Sequence, residues 1–440
     1  MDTVVMARSL FGTSLGFHII YATIGVGVPV MIIIAEALHW ITKDKDYALL
    51  ATRWTKGFAV LLAVAIASGT IVGVLIALLF PSFMEIVGQV ISLPFQMEIF
   101  AFLIEAVFMS IYLYAADRLP PALRILSIFF VAIGATTSAI MITDVHAWMN
   151  TPAGFDITPG GEVTNIDPWA AFFNPSFGIT ALHVTLSAYM TVAFLIGSIA
   201  ALRLLKRNLS TRERSYHRKA LMISLYFGAA MSLTTALNGH ETAQMLHEYL
   251  PRKLAAAEGL FETTRYAPLS IGGYTSLEDK EVKYAVEIPY ALSFLAGNRF
   301  DTEVKGLNEY PEELWPPLYI HILFNIMVGV GSLLIVLSLF AIGWKHLLKK
   351  EFPGWLLALL VVGGPLAIIA IETGWCFSCI GRQPWTINDV LRTDAAATKS
   401  ASVGTLFILF LSLYLTLLFV TAFVLRFYFK RHPVENELTS

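Results

Sequence analysis

Two histidines, one methionine and two carboxylates stand where polar chemistry is expensive. His18, His183, Met327, Glu98 and Glu372 all fall within or at the ends of long apolar stretches of the sequence. A charge at the centre of a bilayer costs roughly 2.5–3.5 kcal/mol on insertion scales, so a buried ionisable group there is read first for function. Imidazole, thioether and carboxylate are axial ligands of haem iron. A His/Met pair suits a low-spin electron-transfer haem, and a lone His or carboxylate leaves a position open for a small molecule. Each residue also has a plainer role open to it: a helix-to-helix hydrogen bond for a single His, core filling for a Met, snorkelling for a Glu near an interface.

Further carboxylates point to protons. Glu105 follows Glu98 by seven residues, about two helical turns and ~10.5 Å, on nearly the same face. Asp144 and His146 close another apolar run. A carboxylate in a poorly solvated site holds its proton to higher pH and can pass it on, so Glu105 followed by Glu98 resembles two stations of a path. The alternative is a pair of structural carboxylates bonded to neighbouring helices.

The elements that position these residues follow from composition. The 440-residue chain is 56% hydrophobic and 14% charged, too apolar for one soluble core. It reads as an all-α integral membrane protein, with spans near 10–37, 57–80, 94–116, 121–147, 177–204, 218–237, 317–343, 354–375 and 404–429, each able to cross a ~30 Å hydrocarbon layer. Lys and Arg cluster in alternate connections. Lys43, Lys45, Arg53 and Lys56 fill one, Arg203 to Lys219 another and Lys345, Lys349 and Lys350 a third, whereas 81–93 and 148–176 contain neither residue. By the positive-inside rule the N-terminus lies outside and the C-terminus in the cytoplasm. All five candidate ligands and acids then fall in the outer half of the membrane.

One outer connection, 238–316, is long and polar; "LPRKLAAAEGLFE" within it reads as a short helix. It divides the chain into spans over 1–237, a loop region over 238–316, and spans with a cytoplasmic tail over 317–440. The net charge of −2 is spread over short loops and excludes a nucleic-acid face. Nothing at the N-terminus has the basic region and cleavage site of a signal peptide. The only two cysteines, Cys376 and Cys379, form a single C-x-x-C that lacks the second pair a structural zinc site needs; a local disulfide stays open.

These residues together resemble subunit I of the cytochrome bd-type quinol oxidases, over nearly the whole chain. The most specific piece is "GRQPW" at 381–385, following Glu372 in "ETGW". Arg8 ten residues before His18, "PFQMEIFAFLIEA", "WMNTPAG", "ALHVTLSAY", "KLAAAEG", "EIPY" and "FNIMVGVG" support it. The resemblance implies that His183 and Met327 ligate a low-spin haem b. His18 and Glu372 would be axial ligands of a high-spin haem b and of a haem d or third haem b, with the pairing open. Lys253 and Glu258 would bind and oxidise quinol, Glu98 would lie against the high-spin pair, and Glu105 and Asp144 would deliver protons. Arg8 and Arg382 would pair with haem propionates. The 238–316 region corresponds to the short quinol-loop branch. Asn325 stands where the family often has Arg, and His146 where Asn is common.

The implied activity is quinol oxidation at the outer face and reduction of O2 to water with cytoplasmic protons, separating charge without a pump. Implied partners are a second large membrane subunit, small single-helix accessory subunits and the lipid of a bacterial cytoplasmic membrane. The competing reading is a proton- or ion-coupled transporter, which accounts for Glu98 and Glu105 but not for the His and Met residues or the Gly-Arg-Gln-Pro-Trp signature.

Overall fold

Long uninterrupted runs of Leu, Ile, Val, Phe and Ala satisfy their backbone groups within helices, because lipid offers no alternative partner. The computed structural model describes residues 3–439. Among the described residues nine helices are long and apolar enough to cross a membrane: α1 (Thr3–Thr42), α2 (Lys45–Leu79), α3 (Leu93–Ala115), α4 (Pro121–Asn150), α5 (Phe177–Leu204), α6 (Thr211–Tyr249), α7 (Ile320–Leu347), α8 (Gly354–Ile380) and α9 (Val403–Arg431). The expected number is met. Several helices outrun their apolar cores, because polar residues at the ends continue a helix where caps allow it. Asp44 caps α2 by accepting from the Asp46 N–H at 2.9 Å. Ser210 and Glu213 form a reciprocal capping box that starts α6 seven residues before the expected 218. At its other end α6 continues to Tyr249, twelve residues past the expected 237, so much of the polar stretch after 237 is helix rather than loop.

Alternation of the spans puts the starts of α1, α3, α5, α7 and α9 on the face that carries the long connection between α6 and α7. The opposite, Lys/Arg-rich face is tied by ion pairs. Lys219 pairs with both Asp44 and Asp46, Arg212 reaches Asp46 at 2.6 Å, and Arg53 pairs with Glu437 of a short C-terminal helix, Val434–Thr439. The main apolar core lies in this half, around Met31, Ile32, Phe58, Leu221 and Leu356.

On the long-loop face the connections are ordered. A short helix, Pro81–Val90, packs with the buried Trp148 and with Ile387 of a small antiparallel pair after "GRQPW". The expected helix in the long connection spans Pro251–Glu258. It is followed by strands Leu269–Ile271, Tyr274–Ser276, Glu281–Lys283 and Val286–Ile288, and the Leu254, Phe261 and Leu307 cluster seats this loop on the tops of α7 and α8.

Candidate functional site

Four helices close into a ring in which α5 packs on α6, α6 on α7, α7 on α8 and α8 on α5. Its interior is plugged by Met190 and Phe194 of α5, Met231 of α6, Leu334 of α7 and Ala367 of α8. Seven residues from that plug, on every helix, lies one layer: His183 before Met190, Asn238 after Met231, Met327 before Leu334 and Gly374 after Ala367. Seven residues are about two turns, ~10.5 Å, and nearly restore the helix face. The four positions therefore share one level on the long-loop side of the plug. Contacts tie the layer together in pairs. His183 Nδ1 lies 2.9 Å from Asn238 Oδ1, and a Cβ on Gly374 would fall 2.9 Å from the Met327 sulfur.

The hydrogen bonds select the histidine tautomer. Asn238 uses its Nδ2 to reach the Ile179 carbonyl at 3.4 Å, so its Oδ1 accepts from His183 Nδ1–H and the Nε2 lone pair is left bare. His18 repeats the device on α1. Ser68 of α2 donates its hydroxyl to the Ala65 carbonyl at 3.1 Å and accepts from His18 Nδ1–H at 3.0 Å. An outer partner of this kind orients a ligating imidazole and raises its basicity.

Glu372 does not join His18. Its Oε2 lies 3.3 Å from where a Gly16 Cβ would stand, and Oε1 is buried without a hydrogen-bond partner. Gly16 and His18 are two residues apart, a rotation of about 200° around the helix. The two candidate ligands therefore address opposite sides of α1.

At the long-loop ends of α4 and α8 lies a buried cluster rich in cations. Lys253, on the loop helix Pro251–Glu258, donates to the Ser378 carbonyl at 2.9 Å and to Asn150 Oδ1 at 3.2 Å. His146 meets Ser378 Oγ at 2.7 Å and the edge of the Trp375 ring. Arg382 is buried, and its Nε and Nη1 have no partner. Burial and then the neighbouring Arg382 guanidinium push Lys253 down to about 7. A cavity of about 250 Å³ opens above, lined by Lys253, Arg382, Tyr249, Tyr310 and Trp385, with Arg252 held at its side by Asp389 at 2.5 Å. Glu258, expected to share this site with Lys253, is not in its wall: the two are five residues apart, about 140° around the helix. Burial alone pushes Glu258 up to about 8, and its Oε2 is unpartnered. Arg8 is half-buried on α1, and its side chain has no partner among the described residues.

The carboxylate line holds its register. Glu98 accepts from Ser138 of α4 at 3.2 Å, and Glu105 is buried where Gly134 lets α3 and α4 nearly touch. Another seven residues on, Tyr112 donates to Glu36 of α1 at 2.7 Å, and Arg124 of α4 pairs with the same carboxylate at 2.6 Å. Asp144 is fully buried; its Oδ1 accepts from Asn174 at 2.8 Å and its Oδ2 is unpartnered. Sequence reasoning missed Asn238, Ser68, Asn150, Ser378, Asn174 and the Tyr112–Glu36–Arg124 triad. Glu36 and Arg124 carried a signal, a charge at the end of an apolar run; the others are ordinary polar residues whose role depends on a neighbouring helix.

Among the described residues no three His, Cys, Asp or Glu side chains form a chelating cluster. The donors stand singly, as axial ligation of a porphyrin-held iron requires. Bare Nε2 atoms, a thioether at the same level as one of them, an unpartnered buried carboxylate and an unpaired buried guanidinium fit haem with its propionates. The fold and donor set thus define a polytopic helical membrane protein of the haem-bearing redox class. The chain belongs to the cytochrome bd terminal oxidase subunit I family, whose description it matches over residues 6–433. It is 57% identical to the putative cytochrome bd menaquinol oxidase subunit I of Bacillus subtilis (strain 168), over 100% of this chain and 99% of that protein. It is 29% identical to the cytochrome bd ubiquinol oxidase subunit 1 of the same organism, covering 92% of this chain and 88% of that one. Its fold superposes on the solved bd oxidase from Geobacillus thermodenitrificans with a TM-score of 0.92, at 47% identity, covering 98% and 99% of the two chains. Family and spans make it a multi-pass protein of the bacterial cytoplasmic membrane and a terminal oxidase subunit. The transporter reading finds no support among these matches.

Proposed function

We propose that this chain is the haem-bearing subunit of a quinol:oxygen oxidoreductase in which His183 and Met327 hold a low-spin haem b, while His18 and Glu372 hold two high-spin haems on opposite sides of α1. One of these is b-type and the other is haem d or a third haem b. When bound, the haems would supply one-electron carriers and the place where O2 is reduced. The observation that carries this reading is the His183–Asn238–Met327–Gly374 layer, two helical turns from the apolar plug, with a bare imidazole nitrogen and a thioether facing one ring interior.

The protein's own residues handle orientation, charge and protons. The region 238–316 acts as the quinol-binding loop, the end of α6 and the Pro251–Glu258 helix forming its wall. Quinol, either menaquinol or ubiquinol, enters the cavity over Lys253, which at about 7 can accept a phenolic proton near neutral pH. Glu258, protonated up to about 8, serves as a second proton station on the far side of the loop helix. Arg382 and Arg8 neutralise propionates, which otherwise would be costly in a poorly solvated site. Protons for water formation come from the Lys/Arg-rich face, read as cytoplasmic, through Glu105 to Glu98, with Asp144 on a second branch. Quinol protons leave on the outer, long-loop side. Two quinols supply the four electrons that one O2 consumes, and charge separates without pumping. A second large membrane subunit completes the complex, together with small single-helix subunits.

Reduced-minus-oxidised spectra of the purified complex, with pyridine haemochrome analysis, count the haems and identify their types. His183→Ala and Met327→Ala each should abolish the low-spin signal while the complex still assembles. An unaltered low-spin spectrum in both variants sinks the assignment.

A further inference from the structure

The strands after Gly259 form one bent antiparallel hairpin rather than separate elements. Leu269–Ile271 pairs with Val286–Ile288, and Tyr274–Ser276 with Glu281–Lys283. The bend sits at Gly272 and Gly273, with φ of 72° and 76°, opposite Tyr284 with φ of 61°. A side chain on Gly273 would meet the Lys283 carbonyl at 2.4 Å, so glycine is required there. Tyr284 has no such excuse. A bulky residue in the left-handed region is unfavourable, and this one is 88% exposed. Among the described residues its only ring neighbour is Tyr274, with centroids 6.0 Å apart.

The bend is pinned low against α7. The Gly272 N–H donates to Asn325 Oδ1 at 2.8 Å, and His321 Nε2 meets the Gly272 carbonyl at 2.9 Å. His321 and Asn325 lie two and six residues beyond Tyr319, the half-exposed tyrosine that precedes α7. At 1.5 Å per residue that is ~3 and ~9 Å further along the helix toward the membrane interior. Tyrosine and tryptophan concentrate at the membrane–water boundary, and the half-exposed Tyr319 stands at the start of the span as such a boundary residue. On α7 at the same depth Ile322 and Ile326 are open to the surroundings, as on a lipid-facing helix. Around the bend Ile271, Tyr274, Tyr284 and Val286 are likewise uncovered. The hairpin's other end, Glu278–Asp279–Lys280, is charged and exposed.

We propose that this bend is a membrane-interface anchor, with Ile271, Tyr274, Tyr284 and Val286 seated among lipid headgroups and upper acyl chains on the long-loop side. Its occupant is the bilayer: the patch continues the lipid-facing surface of α7 and combines aliphatic with tyrosine side chains. The inference needs only the membrane spans and stands apart from the ligand and quinol assignments.

The test uses the complete complex with Cys376→Ser and Cys379→Ser, reconstituted into phosphatidylethanolamine/phosphatidylglycerol vesicles. Single nitroxide labels are placed at Tyr284→Cys, Val286→Cys and, as the aqueous reference, Glu278→Cys. Two patch positions guard against one variant failing to assemble, which the haem absorbance reports. The ratio of collision with O2 to collision with a water-soluble nickel chelate should be several-fold higher at 284 and 286 than at 278. Equal ratios would place the bend in water and overturn the proposal. Exclusion of both reagents from 284 and 286 would show a protein cover and overturn it too.

Discussion

Asn238→Leu separates the role of a hydrogen-bond partner from that of the ligand it orients. The substitution roughly conserves volume and removes the acceptor that receives His183 Nδ1–H at 2.9 Å. A buried N–H left unpaired costs about 1–3 kcal/mol, and losing an outer partner of a metal-ligating His typically costs 10–100-fold in metal affinity. These ranges overlap, so weaker haem retention of that order is the expected stability effect. The redox effect has a definite sign. On the proposed ligation the bond raises imidazole basicity and favours the oxidised iron, so its loss should raise the low-spin midpoint potential. If one hydrogen bond of about 1.4 kcal/mol acted wholly on one oxidation state, the shift would be about 59 mV for this one-electron couple, which is an upper bound. Asn238→Asp should move the potential the other way, because a carboxylate is the stronger acceptor. Potentiometric titration of the low-spin absorbance band in the purified complex measures both. Unchanged potentials in both variants, with the low-spin band intact, would refute the role of this bond and the tautomer drawn from it.

Gly374→Ala should disturb the same layer from the opposite helix, since its Cβ would stand 2.9 Å from the Met327 sulfur. Alanine favours a helix interior by about 0.8–1.0 kcal/mol over glycine, so loss of low-spin absorbance alongside retained helicity would report a displaced thioether; an unaltered spectrum would contradict the packing. Lys253→Met tests the cavity through pH. With Lys253 held at about 7, wild-type quinol oxidation should fall as pH drops through that value, because the ammonium form cannot accept a proton. The variant should be slower and lose that acidic limb, and persistence of the limb in a pH–rate profile would assign it elsewhere. Glu105→Gln keeps shape and removes the transferable proton. Oxygen consumption should fall roughly 100-fold, at the low end of proton-transfer contributions, with quinol KM unchanged; full turnover would count against a proton role.

Much of this was legible because lipid restricts the options. Helix number and the residues within each span follow from apolar run length, and His18, Glu98, His183, Met327 and Glu372 cluster toward the long-loop face that the Lys and Arg positions mark off. What stayed hidden was the pairing of faces across helices. Asn238 looks like a polar residue at the end of an apolar run, and only the rotation of α6 against α5 makes it the partner of His183. Gly374 matters because α7 brings Met327 to it. The family resemblance gives Lys253 and Glu258 a shared quinol role, yet their five-residue spacing turns them to different sides of the loop helix, and of the two only Lys253 lines the cavity. The end of α6 is hidden in the sequence because a polar helix end carries no apolar signal, and the structure continues the helix to Tyr249.

The wall that α1 makes between His18 and Glu372 bears on how many prosthetic groups the protein can hold. A pair of residues ligating one iron from both sides must face a common space. Here the imidazole looks toward Ser68 and Gly69 of α2, while the carboxylate lies against Gly16 on the other side of the same helix. A helix with its side chains is about 10–12 Å across, so on the proposed ligation the two residues open onto two compartments and would hold two separately ligated groups. The His183–Met327 layer, built on α5 and α7 and braced by α6 and α8, would make a third on the same proposal. If the three proposed sites are independent, variants at His18, Glu372 and His183 should each remove their own spectral component, with effects adding where the residues share no partners. A His18 variant that also erased the component dependent on Glu372 would mean that α1 does not separate them.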